Sequence, residues 1–225
     1  PAARRKNPGG RDGQTLMLRI GLTGGIASGK STVASMLRDL DCPVLAADAL
    51  GHELLEPGQT AYAEVVREFG IDILDSYGNV DRTALGEIVF ADAEKRERLN
   101  QILHPRIQEI IQKWFAALDQ VGGPGLAVVE AALIVEAGYQ KDLDKLVVCW
   151  CRRAQQIERL MERGLTEEQA LLRIAAQMPM EEKRAMADET IDCSGPIEET
   201  EREVGAVIRR LLDAAAASSV EGRNI

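Results

Sequence analysis

The residues of this chain that point most directly to chemistry are Gly24, Gly29, Lys30 and Ser31, in the spacing G-x-x-x-x-G-K-[ST]. Small residues let successive backbone N–H groups curl around phosphate oxygens, and a helix starting behind them adds partial positive charge. The expected nucleotide contacts are Gly25, Ala27, Ser28, Gly29, Lys30, Ser31 and Thr32. Lys30 would reach the β- and γ-phosphates, where it acts in catalysis, and the Ser31 hydroxyl would hold Mg²⁺. The ligand this pattern calls for is a nucleoside triphosphate.

Two carboxylates stand where they could serve that ligand. Asp48 closes the apolar run 44–48, and there it could take a proton from an acceptor hydroxyl or position Mg²⁺ through water. An Asp at that point also caps helices well, and position alone leaves both readings open. Glu130 ends the apolar run 126–130, a placement that reaches Mg²⁺ in phosphate-binding sheets, with a salt bridge at the sheet edge as the alternative. Arg152, Arg159 and Arg163, with Gln156, are spaced to share one stripe of a helix. Beside a triphosphate they would form the inner face of a closing lid; the alternative is a solvated basic face. His104-Pro105 reads most simply as the cap and first turn of a helix, with catalysis by the imidazole the weaker alternative.

The elements that must hold these residues follow from hydrophobic pattern. Apolar runs at 18–23, 43–47, 126–130, 145–150 and 190–193 read as strands separated by helical patterns, which argues for a mostly parallel sheet. The fold class expected is α/β, a parallel sheet of the P-loop NTPase type with helices on both faces, a helical substrate-domain insertion and a helical lid. Residues 1–16 read as a disordered tail and 17–213 as a single P-loop domain. Its core takes 17–55, 125–151 and 186–213, the insertion about 56–124 and the lid about 152–185. Within the insertion, helices are expected at 60–69, at 82–90 behind Asp81 as cap, at 93–103 and at 105–118, followed by a glycine-rich turn at 122–125. In the lid, Gly164 ends one helix, and Thr166 with Gln169 forms the capping box of the next. A final helix carries its packing stripe from 197 to 212, and residues 214–225 are expected to fray.

Composition excludes several classes. With 225 residues, 45% hydrophobic and 28% charged, the chain can bury a sizeable core. A formal net charge of −9 argues against nucleic acid as a partner. Cys42, Cys149, Cys151 and Cys193 form no C-x-x-C pair, and two histidines leave little for a zinc site. Buried thiols in a reducing, cytoplasmic compartment are the expected state. No apolar run approaches the ~20 residues of a membrane span, and the basic N-terminal stretch lacks the apolar segment of a signal peptide. A monomer or small homo-oligomer is expected.

Nearly the whole chain, from about Leu18 to about Leu212, resembles the dephospho-CoA kinase family. The run from Leu22 to Thr32 is similar to that family's L-T-G-G-I-G-S-G-K-S-T, and Ala46-Ala47-Asp48 to its D-A-D segment. Glu56-Pro57-Gly58, Leu103-His104-Pro105, Leu133 with Glu136, Gln156 to Arg159, Arg163, Gln177 and Ala187-Asp188 also fall on its pattern. The resemblance implies transfer of the ATP γ-phosphate to the 3′-hydroxyl of dephospho-CoA, the last step of coenzyme A biosynthesis, with Mg²⁺. It implies Asp48 as base, with Arg159 and Arg163 in catalysis and Asp48, His104 and Arg152 on the acceptor. Four departures stand out. Ala27 adds a methyl group to the loop, which calls for a negative φ there. Ala46 removes a carboxylate from the Asp48 segment. Ala132 replaces a usual proline, and Cys193-Ser194-Gly195 replaces an N-x-G segment near the adenine. The rival readings are another nucleoside-monophosphate-type kinase, a GTPase-like switch and, given Ala27 and Ala46, a catalytically dead nucleotide sensor, against which Asp48, Lys30 and the lid arginines argue. The second needs N-K-x-D, and no Asn-Lys pair occurs.

Overall fold

The computed structural model describes residues 17–121 and 125–221. The tail expected over 1–16, most of the 122–125 turn and the last four residues lie outside them. Five strands, β1 (Leu18–Gly24), β2 (Val44–Ala46), β3 (Leu126–Glu130), β4 (Lys145–Trp150) and β5 (Glu189–Asp192), form one sheet in the order β2-β3-β1-β4-β5. Every neighbouring pair is parallel. β1 is therefore central, and the chain leaves it in one direction for β2 and crosses it between β3 and β4. Ligands of such sheets bind at the strand carboxyl ends beside this reversal.

Helix α1 (Lys30–Asp39) follows β1, and α2 (Ala47–Glu53) follows β2. The insertion holds α3 (Tyr62–Phe69), α4 (Arg82–Ala91) and α5 (Ala93–Gln120). Between β4 and β5 lie α6 (Arg153–Glu162), α7 (Glu167–Ala175) and α8 (Met180–Ala185), and α9 (Ile197–Glu221) closes the described chain. No helix among the described residues is long and apolar enough to cross a membrane.

Strand side chains alternate between two cores, as a two-residue repeat requires. Ile20, Leu22, Val128 and Val147 join Val33 and Leu37 of α1 and Val204, Val207 and Leu211 of α9. Ala127, Val129, Leu146 and Val148 pack instead with Ile107, Ile111 and Phe115 of α5. The second core fastens the insertion to the sheet.

Three expectations are corrected here. Helices over 93–103 and 105–118 are in fact one helix, α5, with Pro105 inside it. A proline in a helix interior costs about 3 kcal/mol. Ile102, Ile107, Ile111 and Phe115 are buried on both sides of it, each worth roughly 1.5–3 kcal/mol, and their common face outweighs the proline. The end expected to fray from Ala214 onward is helical to Glu221. β2 stops at Ala46, so Asp48 is in the first turn of α2 rather than on the strand. The local signals did hold. Asp81 caps α4 by accepting from Thr83 and Ala84, and Thr166 and Gln169 exchange the two bonds of their box at 3.0 and 3.2 Å.

Candidate active site

β1 feeds the loop 25–29, and α1 begins at Lys30 with Gly29 as its N-cap. Gly29 has φ 102°, and a β-carbon there would lie 2.6 Å from Cβ of Cys193, so conformation and space both demand glycine. Ala27 overturns its expectation: its φ is 58°, in the left-handed region. A side chain there costs roughly 1–2 kcal/mol. Neighbours hold it. The Ala27 carbonyl accepts from Arg159 Nη1 at 3.1 Å and from the Cys151 thiol at 3.7 Å. One residue earlier, the Ile26 N–H donates to Gln177 Oε1 and its carbonyl accepts from Gln156 Nε2, both at 2.7 Å. The phosphate loop is thus gripped from the segment that follows β4.

Behind the loop, Lys30 Nζ lies 2.8 Å from Glu130 Oε1 and 3.3 Å from Asp48 Oδ2. Arg38 Nη2 approaches the other Glu130 oxygen at 3.6 Å. Glu130 is only 8% exposed, and each of its oxygens faces a cation. It is an ion-paired carboxylate at the carboxyl end of the inner strand β3. Asp48 is not the cap of α2. That position belongs to Ala46, and the Asp48 carboxylate accepts instead from the Ala132 N–H, at 3.1 and 3.3 Å.

Two cavities are lined by neighbouring parts of the site. One, of about 320 Å³, is lined by Ala27, Gly29, Thr32, Arg159, Arg163 and Cys193 among others. Here Arg159 does more than face solvent from a lid. It spans from the Ala27 carbonyl to that of Cys193, the latter at 2.8 Å. The other cavity, of about 250 Å³, opens between α2, α4 and α5, and Asp48 and His104 are on its wall. His104 meets Tyr139 edge-on at 5.5 Å between ring centroids. Burial pushes its imidazole below the ordinary value, opposed by Glu97. Arg152 lines neither cavity. It stands at the N-cap of α6, where its N–H is 3.3 Å from both Gln155 Oε1 and Ser194 Oγ.

The residues that spacing did not reveal are His52, Arg82 and Tyr139 in the second cavity. They come from three separate segments and no local pattern joins them. Gln177 carried a signal only through family pattern, and Gln156 also through its place on the arginine stripe.

A loop of backbone donors, a lysine between two acidic groups and arginines on one wall suit the handling of a transferable phosphoryl group. The chain is a P-loop kinase. The sequence model described as dephospho-CoA kinase matches residues 18–199. A dephospho-CoA kinase of Geobacillus kaustophilus is 42% identical over 198 residues, covering 87% of this chain and 97% of the relative. One from Geobacter sulfurreducens is 46% identical, with 82% and 94% covered. Among solved structures, a Thermus thermophilus protein aligns with TM-score 0.74 at 34% identity, covering 87% of this chain and 98% of its own. The dephospho-CoA kinase of Campylobacter jejuni aligns at 0.64 and 27% identity, with 88% and 99% covered. The chain belongs to the dephospho-CoA kinase family.

Proposed function

We propose that this chain transfers the γ-phosphate of ATP to the 3′-hydroxyl of dephospho-CoA, giving coenzyme A, and that its two cavities divide the work. The cavity under the phosphate loop takes ATP, with residues 25–32 around the phosphates and Arg159 and Arg163 along the side. The cavity between α2, α4 and α5 takes the acceptor. The observation that carries this reading is the Asp48–Lys30–Glu130 cluster, with contacts of 3.3 and 2.8 Å, in which Asp48 lines the acceptor cavity and Lys30 directly follows Gly29 of the nucleotide cavity.

Asp48 holds the acceptor hydroxyl and receives its proton as the new O–P bond forms. Lys30 moves with the charge of the transferring phosphoryl group, and the arginines stabilise the leaving diphosphate. His104 shapes the acceptor wall as a neutral ring beside Tyr139. Arg152 enters only through lid closure, since it touches neither cavity as the chain stands.

Mg²⁺ fits the donor set. The described residues offer no group of three His, Cys, Asp or Glu side chains as a cage, and Mg²⁺ usually takes one or two protein oxygens with phosphates and water. Ser31 and Glu130 would hold it, and when bound it would neutralise charge between the β- and γ-phosphates. Four free thiols support a reducing, cytoplasmic setting.

The test is direct. Purified protein with Mg-ATP and dephospho-CoA should yield coenzyme A by mass spectrometry, with AMP and other nucleotides as rival acceptors. Faster phosphorylation of AMP than of dephospho-CoA would overturn the acceptor assignment.

A further inference from the structure

The segment 177–183 touches both halves of the site. Gln177 holds the phosphate loop through the Ile26 N–H. Six residues on, Lys183 is fully buried, at 0% exposure, on the six-residue helix α8. Its Nζ donates to the Ala132 carbonyl at 2.7 Å and pairs with Glu136 Oε1 at 2.8 Å. Glu136 in turn accepts from the Met178 N–H at 3.1 Å. The Ala132 carbonyl accepts a second bond, from Thr23 Oγ1 at 3.1 Å, next to the phosphate loop. The N–H of this same residue 132 donates to Asp48.

A buried ammonium is costly unless paired, and apolar residues would fill its place without that cost. Stability is therefore a poor reason for a lysine at this point, whereas aim is a good one. Thr23 and Lys183 fix the carbonyl of residue 132, and only the φ and ψ of that one residue separate it from the peptide unit whose N–H holds Asp48.

We propose that Lys183 is a positioning residue for phosphoryl transfer: through Ala132 it keeps the Asp48 carboxylate aimed at the acceptor hydroxyl, and through Glu136 and Met178 it ties that aim to the segment gripping the phosphate loop. This rests on the reading of Asp48 as base. A misaimed base lowers the rate of transfer and leaves ATP binding alone, so the effect belongs in kcat and not in the KM for ATP.

The experiment is a double-mutant cycle on the full chain. Lys183→Met should lower kcat about ten-fold or more, with the KM for ATP changed less than about two-fold. Asp48→Ala alone should lower kcat about 10²-fold or more. Adding Lys183→Met to Asp48→Ala should then cost nothing further, since no carboxylate remains to aim. Losses that multiply, or a Lys183→Met enzyme with normal kcat, overturn the proposal. A normal kcat in Asp48→Ala overturns the base assignment itself, and the positioning role with it. Should Lys183→Met unfold because Glu136 is left unpaired, Lys183→Met with Glu136→Leu removes both charges. The same kcat and KM criteria apply to that pair.

Discussion

The two cavities are built by opposite means. The nucleotide side is a backbone structure: a loop with two left-handed residues, Ala27 and Gly29, whose carbonyls and N–H groups are pinned by Gln156, Arg159 and Gln177. The acceptor side is a side-chain structure, in which apolar residues of α2, α4 and α5 form walls around a few polar groups. Backbone geometry suits a ligand that is mostly phosphate, because N–H groups and a helix start read charge and little else. Side-chain walls suit a ligand whose identity matters. The nucleotide side should thus fail in chemistry when altered, and the acceptor side in selectivity and in response to acid.

The largest expected effect is on the shared cluster. Lys30→Ala should lower kcat by about 10³-fold in a folded protein, as loss of a charge-stabilising donor does; near-normal turnover would end the P-loop assignment. Asp48→Asn keeps size and hydrogen bonding but not charge. Its kcat should fall about 10²-fold with ATP affinity near normal. A collapse of Mg-ATP affinity instead would move Asp48 to the nucleotide side of the comparison. Arg163→Ala, on the wall of the nucleotide cavity alone, should cost about ten-fold in kcat at saturating substrate. If it changes only the KM for dephospho-CoA, the two cavities are not separate.

Acid should find the acceptor side first, because both histidines of the chain line it. Burial lowers His104, with Glu97 opposing; burial and then Arg82 lower His52, with Asp48 opposing. Imidazoles held neutral in the fold take up protons on unfolding once pH is below about 6.5. Stability should therefore decline as pH falls from about 6.5 through the folded values, with a slope under ~1.4 kcal/mol per pH unit for each group. Urea titrations across that range should show it, and His104→Leu should flatten it; an unchanged slope would place the acid response elsewhere. The smallest effect is on the loop. Ala27→Gly should relieve about 1 kcal/mol of left-handed strain and raise Tm by roughly 2–4 °C. A lowered Tm would mean the methyl group packs better than its backbone suffers.

What the sequence discloses follows the same division. The glycine loop, the caps at Asp81 and Thr166 and the strands within a residue or two are local, so neighbouring residue types betray them. Asp48 was legible as a site residue but not in its support. Its partner is the N–H of Ala132, 84 positions away, and no spacing rule reaches that far. Pro105 misled because a strong local rule met a stronger tertiary one. Lys183 reads as an ordinary surface lysine in a charged run, and only the fold buries it.

Helix α5 has a mechanical side. Near its C-terminal end, Asp119 bonds Arg19 of β1 at 2.9 Å, and the same guanidinium lies 5.0 Å over the Phe115 ring. His104 and Leu103, on the acceptor wall, are about 22 Å back along the same rod. On a rod of that length a tilt of about 5° about Arg19 would displace His104 by roughly 2 Å, and the buried Ile107, Ile111 and Phe115 between them hold it against that tilt. The width of the acceptor cavity is in this sense gauged from the amino end of the central strand, by a contact that lines neither cavity.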